Sequence, residues 1–423
     1  MIPRHIYMVG IGGIGMSALA QFLKHTGHMV TGSDRDESPV TKMLEGRGIM
    51  ITIGKGVIPK AAKLLIYSDA VPESNPERAE ALARQIPQMS YFGALGEVSK
   101  KGRTIAVAGT HGKTTTTGML AKILSDGKYE PTAIVGSIVR DFGSNFLAGK
   151  PDLFVIEACE YRDHVLKLSP EILVITNIEL DHTDYFPDLA ALQETFRTAA
   201  EKVPAHGFIV TDSNDANIAP VLKKVSATVI DYTSTRVPEL GLIGEFNKMN
   251  ARAAASAARA AFPDIKDGTI ERALAEFKGS WRRFEYKGET PQGALVYDDY
   301  AHHPTAIQKT IEAARQKFPG KKIVVAFHPH LYSRTKSLLG EFAQALSTAD
   351  SALIAPIYAA REAPDPTVSS KILAHAAQQL GGNVSALDSF DTIRDTLLTL
   401  GKNSLIITMG AGDIYKVAEQ IAD

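Results

Sequence analysis

The residues best suited to chemistry stand in one short run. Gly109, Thr110, His111, Gly112, Lys113, Thr114 and Thr115 lie between the strand-like TIAVAG and the helix-like GMLAKIL. Backbone amides in such a turn wrap phosphate oxygens, a lysine reaches the terminal phosphates, and a threonine hydroxyl ligates magnesium. The strict GxxxxGK[ST] form needs glycine at position 107, where this chain has Val107, so this is a shortened P-loop and reads as an ATP site. Two further groups follow it, Glu157 closing DLFVIEA and His182 closing ILVITNIELDH. A lone carboxylate or imidazole at a strand end is ordinary surface. Beside a phosphate loop, the pair is suited to holding magnesium over a γ-phosphate during phosphoryl transfer.

A second glycine set, Gly10, Gly12, Gly13 and Gly15 in GIGGIGMS, fits GxGxxG between a strand and a helix, and Asp34 ends the next strand in VTGSD. Such glycines let the backbone approach a phosphate at a helix N-terminus, and the acid holds a ribose hydroxyl. Taken alone the motif says nucleotide, with a nicotinamide cofactor, another nucleotide or a merely structural turn all open.

These loops need a scaffold of alternating strands and helices, and the chain supplies one. The runs LLIYS, DLFVIEA, ILVITNI, GFIVTD, KIVVAFH, SALIAPIY and SLIITMG read as buried strands, and helical segments separate them. That is the pattern of an α/β protein with parallel sheets. At about 150 residues per domain, 423 residues imply two to four domains. Polar joints at SKKGR (99–103) and GSWRR (279–283) divide the chain into 1–99, 100–281 and 282–423, the last opening with a hairpin whose turn is marked by Gly288 and Pro291. With 46 Lys and Arg against 47 Asp and Glu, the net charge of −1 offers no global field for nucleic acid. A single cysteine, Cys159, excludes an intrachain disulfide and a cysteine-built zinc cluster, and fits a reducing, cytoplasmic setting. Glycines interrupt the apolar N-terminal stretch, and no uninterrupted apolar run reaches spanning length, so neither a signal peptide nor a membrane anchor is expected.

The ordered set GIGGIGMS, GTHGKTTTT, EACEY, NIELDHTDYF, GEFNKMN, WRRFEY, DDYAHHPTAI, HPHLYSRT and MGAGDIY resembles the Mur ligases of peptidoglycan synthesis across essentially the whole chain. The resemblance implies three domains: a Rossmann-like N-terminal domain for a UDP-sugar, a P-loop central ATPase domain and a Rossmann-like C-terminal domain for an amino acid. It implies ATP and Mg2+, with UDP-N-acetylmuramate and an amino acid, L-alanine by the nearest branch, as substrates of a cytoplasmic monomer or weak homodimer. The lactyl carboxylate is phosphorylated to an acyl phosphate, which the amine attacks. Lys113, Thr114, Glu157 and His182 then serve phosphoryl transfer and metal, and the first glycine loop holds the UDP diphosphate with Asp34, Ser68 and Asn75 near the uridine. Asn247 and Asn250 resemble adenine and phosphate contacts, though asparagine at a helix start is also a common cap. Arg283 and Asp299 resemble residues that close over ATP. His303, His330 and Arg334 serve the acceptor, whose α-carboxylate needs a fork-shaped cation such as Arg334.

Several positions depart from the family pattern. His328 stands for a glutamine and Leu331 for an arginine in HPHLYSRT, Phe246 for a histidine, and Lys55 where a glycine-histidine pair is common. The stretch between Tyr232 and Gly244 is short, which implies a trimmed hairpin, and Arg197 lies in the neighbourhood where several relatives carry a carbamylated lysine, so no such modification is inferred and the arginine offers a fixed charge instead. The pair Glu160 and Tyr161 is similar to that of a recycling branch that accepts a preformed tripeptide, which is the alternative within the family. Outside it stand a nicotinamide-dependent oxidoreductase, which leaves the P-loop without a task, and a catalytically silent nucleotide-binding protein.

Overall fold

The computed structural model describes residues 2–360 and 362–422. Among the described residues there are three sheets, of five, seven and six strands. The chain packs as two compact units, one of Met1–Ile178, Leu192–Leu240 and Met249–Lys278, the other of Glu179–Ala191, Gly241–Lys248 and Gly279–Asp423. No helix of the described residues is long and apolar enough to cross a membrane.

The first unit holds two sheets. The five-stranded sheet runs Met50–Ile53, Met29–Asp34, His5–Val9, Leu64–Tyr67, Gln88–Ser90, all parallel. The seven-stranded sheet centres on Arg103–Ala108, flanked by Ile172–Ile175 and Leu153–Glu157, and carries an antiparallel edge formed by Thr132–Val139 and Ser144–Leu147. Helix Ile14–His25 joins the two sheets. Its residues from Met16 to Leu23 are all buried, because one face covers its own sheet while the other packs on the edge hairpin of the next. Phe22 meets Phe154 edge-on at 5.8 Å, and Gln21 Nε2 donates to Asn145 Oδ1 at 2.9 Å. An amide buried beside an apolar contact is tolerated because it is hydrogen-bonded.

The second unit is built on a sheet ordered Glu285–Glu289, Leu295–Asp299, Ser404–Met409, Lys322–Phe327, Ser351–Ile354, Val384–Ala386. Only the first pair is antiparallel. Separate apolar clusters, one with Ile311, Phe327 and Phe342 and one with Ile393, Ile406 and Val417, mark helices packed on both faces, as a parallel sheet requires. The hairpin expected here is present, but its turn runs from Thr290 to Ala294, where Thr290 N donates to the Ala294 carbonyl. Pro291 lies in that turn, whereas Gly288 sits inside the strand at a register shift. Two other local readings change. The strand before His182 ends at Ile175, so His182 belongs to the loop beyond it, and residues 233–244 contain no strand.

Candidate active site

The Gly10–Gly15 turn, the 109–115 loop, Glu157 and the segments that follow Asp299, Phe327 and Met409 lie at the carboxyl ends of parallel strands, the edge where open α/β sheets bind ligands. In the five-stranded sheet, His5–Val9 leads into the Gly10–Gly15 turn and helix Ile14–His25. Gly10 has φ +74°, and Gly13 N returns to the Gly10 carbonyl at 3.2 Å, which tightens the turn. Asp34, at the end of the neighbouring strand, accepts from Gly12 N at 2.7 Å. A Cβ on Gly12 would stand 2.7 Å from Thr41 Cγ2 and 2.9 Å from Asp34 Oδ2, so this close approach requires glycine. Ser68 follows the next strand, with its N donating to the Val9 carbonyl. Asn75 caps helix Pro76–Ala83, accepting from Glu77 N and Arg78 N, which is the turn chemistry its type favours.

In the seven-stranded sheet, Val107 lies inside strand Arg103–Ala108, paired with Val174 and Glu157, so the strand runs further than in a longer P-loop and the turn is confined to 109–112. Gly112 has φ +81°, a left-handed conformation that starts helix Lys113–Asp126, and the Asn250 carboxamide fills the place its Cβ would take. Asn177 staples the loop: its carbonyl accepts from Thr110 N at 3.1 Å, its Oδ1 from His111 N at 2.9 Å, and its Nδ2 donates to the His111 carbonyl. Thr114 and Thr115 are buried in the first helical turn. Thr114 Oγ1 donates to Glu157 Oε1 at 2.8 Å, and Glu157 Oε2 accepts from Gly136 N at 2.6 Å. Lys113 Nζ donates to both oxygens of Glu160 at 3.0 Å, to the Thr110 carbonyl at 3.2 Å and to the Gly109 carbonyl. Burial opposes the charge on Lys113, but Glu160, together with Glu157, outweighs it and holds the ammonium above the ordinary lysine range. A hydroxyl and a carboxylate in contact are a hard-oxygen donor set of the kind magnesium takes.

His182 belongs to the segment Glu179–Ala191, in the second unit. Its backbone is left-handed, at φ +53°, its N donates to Asp181 Oδ1 at 2.6 Å, and its carbonyl accepts from Tyr185 N and Phe186 N.

In the second unit, three adjacent strand ends, Asp299, Phe327 and Met409, deliver the segments 300–303, 328–334 and 410–412. Arg334 is 3% exposed and its Nε donates to Asp181 Oδ1 at 2.8 Å, with Asp181 5% exposed. Arg334 Nη1 approaches His330 Nδ1 at 3.3 Å. Burial alone would raise the Asp181 carboxyl, but the Arg334 guanidinium beside it holds it well below the usual carboxylate range. Burial and the same guanidinium hold His302 well below the ordinary imidazole value, hence neutral. His303 caps helix Pro304–Lys317 and its Nε2 lies 3.1 Å from the Leu180 carbonyl. Asp299 accepts from Phe284 N and Ala301 N, both at 2.7 Å; burial raises its carboxyl to about 6 against the pull of Arg283. The Arg283 guanidinium lies over the Tyr300 ring at 5.0 Å. Asn247 is buried at the start of helix Glu245–Ala261, with Nδ2 donating to the Ile243 carbonyl.

Three side chains of these networks have no role in the sequence reading: Glu160 on Lys113, Asp181 on Arg334, and Arg282. The last is buried, with Nε on Asp298 at 2.7 Å and its other nitrogens on the Gly412 and Gly410 carbonyls. Each stands beside a residue that carried the motif, and a carboxylate next to a conspicuous histidine or a first arginine of a pair gives no periodic signal of its own. Arg197, the fixed charge suggested in place of a modified lysine, pairs with Glu194 on its own helix.

Comparison with known proteins adds to this geometry. Three family descriptions match in succession: "Mur ligase family, catalytic domain" over residues 5–103, "Mur ligase middle domain" over 107–237, and "Mur ligase, glutamate ligase domain" over 282–412. The UDP-N-acetylmuramate--L-alanine ligase of Desulfitobacterium hafniense is 41% identical, over 99% of this chain and 100% of its own. The crystal structure of UDP-N-acetylmuramate-alanine ligase MurC from Thermotoga maritima superposes with TM-score 0.82 at 26% identity, covering 99% of this chain and 98% of that one. A murein peptide ligase from Psychrobacter arcticus superposes with TM-score 0.74 at 25% identity, with 100% of both chains covered.

Proposed function

The chain belongs to the Mur ligase family, and from that membership we infer that it joins L-alanine to the lactyl carboxylate of UDP-N-acetylmuramate while ATP is cleaved to ADP and phosphate. The observation that carries this reading is the 41% identity along the full length of a ligase with that name. The higher superposition on the alanine ligase, 0.82 against 0.74 for the murein peptide ligase, favours a free amino acid over a preformed peptide.

The chemistry has two balanced steps. The lactyl carboxylate oxygen attacks the γ-phosphorus, the bond to the β-phosphate oxygen breaks, and ADP leaves from an acyl phosphate. The neutral amine of alanine then attacks the acyl carbon, phosphate departs, and the amine proton is lost as the amide forms. Activation by phosphorylation makes a poor leaving group a good one, and no covalent enzyme intermediate is needed.

The residues divide this work. The Gly10–Gly15 turn and the N-terminus of its helix take the UDP diphosphate, with Asp34, Ser68 and Asn75 toward the uridine. Loop 109–112, with Lys113, receives the ATP phosphates, and Lys113 spreads the charge that grows on the transferring group. Thr114 and Glu157 would hold magnesium through their oxygens, with His182 the further ligand that family membership implies, and the ion would neutralise phosphate charge. Asn247, Asn250, Arg283 and Asp299 serve the nucleotide, and His303, His330 and Arg334 the acceptor, across working segments 1–99, 100–281 and 282–423. The setting is cytoplasmic and the working species a monomer or weak dimer.

The test is isotopic. With 18O in the lactyl carboxylate, one labelled oxygen should leave in the released phosphate at each turnover, because the attacking oxygen departs with phosphorus. Phosphate free of label would rule out the acyl phosphate.

A further inference from the structure

We infer that Asp181 is the positioning residue for Arg334, holding the guanidinium so that its remaining edge meets the α-carboxylate of the incoming amino acid. This rests on the reading of Arg334 as the acceptor's cation.

Both side chains are buried, and Nε is bonded to Asp181 Oδ1 at 2.8 Å. Nη1 is engaged with His330, whose Nδ1 lies at 3.3 Å and whose carbonyl lies at 3.4 Å. Nη2 makes no hydrogen bond to the described residues, so it is the part of the fork left to receive a ligand oxygen. A guanidinium fixed on one side by a carboxylate has lost its rotamer freedom before the ligand arrives, and that ordering no longer weakens binding. Buried without Asp181, the same cation would turn toward other acceptors or retain water. The other Asp181 oxygen stands 3.9 Å from His302 Nε2. The loop that carries Asp181 also carries His182, which ties the acceptor's cation to the candidate metal ligand through one peptide bond.

The experiment measures kcat and KM for L-alanine and for L-alaninamide, which keeps the amine and lacks the carboxylate, together with KM for ATP, in wild type, Asp181→Asn and Arg334→Gln. Asp181→Asn should raise KM for L-alanine about tenfold or more, the scale of one hydrogen bond to a charged group. KM for ATP and for L-alaninamide should change little. Arg334→Gln should abolish the preference for alanine over its amide; if that preference survives, the reading of Arg334 fails. If Arg334→Gln behaves as expected and Asp181→Asn leaves KM for L-alanine unchanged, the positioning role is overturned while the Arg334 reading stands. An equal rise in KM for ATP also overturns it, because Asp181 would then serve the nucleotide. Should Asp181→Asn not fold, Asp181→Glu keeps the charge and displaces it by one methylene. It is expected to raise KM for L-alanine in the same selective way, and an unchanged KM overturns the proposal.

Discussion

Thr114 Oγ1 and Glu157 Oε1 are 2.8 Å apart, which ties the first turn of the P-loop helix to the last residue of strand Leu153–Glu157. Strands Arg103–Ala108 and Leu153–Glu157 are paired in parallel register, with Val107 opposite Glu157, so the hydroxyl and the carboxylate meet at one sheet edge without any long side chain reaching for the other. The contact brings together two hard-oxygen groups that would suit a divalent cation, which would neutralise phosphate charge there.

Removing the charge at that edge should weaken the metal and spare the fold. Glu157→Gln is expected to raise the magnesium concentration needed for half-maximal phosphate release by at least about tenfold. A titration of activity against magnesium checks this, and an unaltered midpoint would remove Glu157 from the metal site.

Lys113 should matter to the chemical step more than to binding of the sugar nucleotide. Lys113→Ala is expected to lower kcat by about 10²–10³-fold, the scale of losing one group aimed at developing charge. Affinity for UDP-N-acetylmuramate, read by calorimetry, should stay as in the wild type. Full activity in this variant would refute the phosphate assignment.

Neighbouring arginines should separate cleanly. Arg282 is 4% exposed and its partner Asp298 fully buried, so Arg282→Ala strands a carboxylate and should cost about 3–5 kcal/mol in urea unfolding. Arg283 lies over the Tyr300 ring, a contact worth about 0.5–1 kcal/mol. Its replacement by alanine should cost less stability than the loss of Arg282, which strands a fully buried carboxylate, while raising KM for ATP. The opposite pattern would exchange their roles.

A pH dependence follows from His328. Burial lowers its imidazole to about 4, against an ordinary value of 6.5. Because the folded pKa is depressed, the unfolded chain binds the proton first. Stability is therefore complete above pH 6.5 and is lost as pH falls from there toward 4. At pH 5 the loss amounts to about 2 kcal/mol. Glutamine does not titrate, so His328→Gln should lose that much less stability than wild type between pH 7.5 and pH 5. Parallel pH profiles for the two proteins would contradict the buried, neutral histidine.

The fold was legible where β-branched runs end in glycine or polar residues, as in TIAVAG and SLIITMG, because burial on both sheet faces leaves an unbroken apolar signature. Strands Met50–Ile53, Gln88–Ser90 and Val384–Ala386 escaped, being short edge strands whose side chains are largely exposed or half-buried. Motif spacing singled out Lys113, Thr114 and Glu157, and the structure brings Thr114 onto Glu157, because consecutive residues of one turn and the end of the adjacent strand are fixed by local geometry. The contacts of Asp181 with Arg334 and of Glu160 with Lys113 were not foreseen. They depend on which side chain arrives from 153 and 47 positions away, and no local periodicity records that.

The central claim is that the acceptor is a free amino acid. Purified protein given ATP, magnesium, UDP-N-acetylmuramate and equal amounts of L-alanine and the tripeptide L-Ala-γ-D-Glu-diaminopimelate should yield one product, whose mass equals that of the sugar nucleotide plus one alanine residue. A product carrying the tripeptide instead would contradict the account and place this chain with the peptide-recycling ligases.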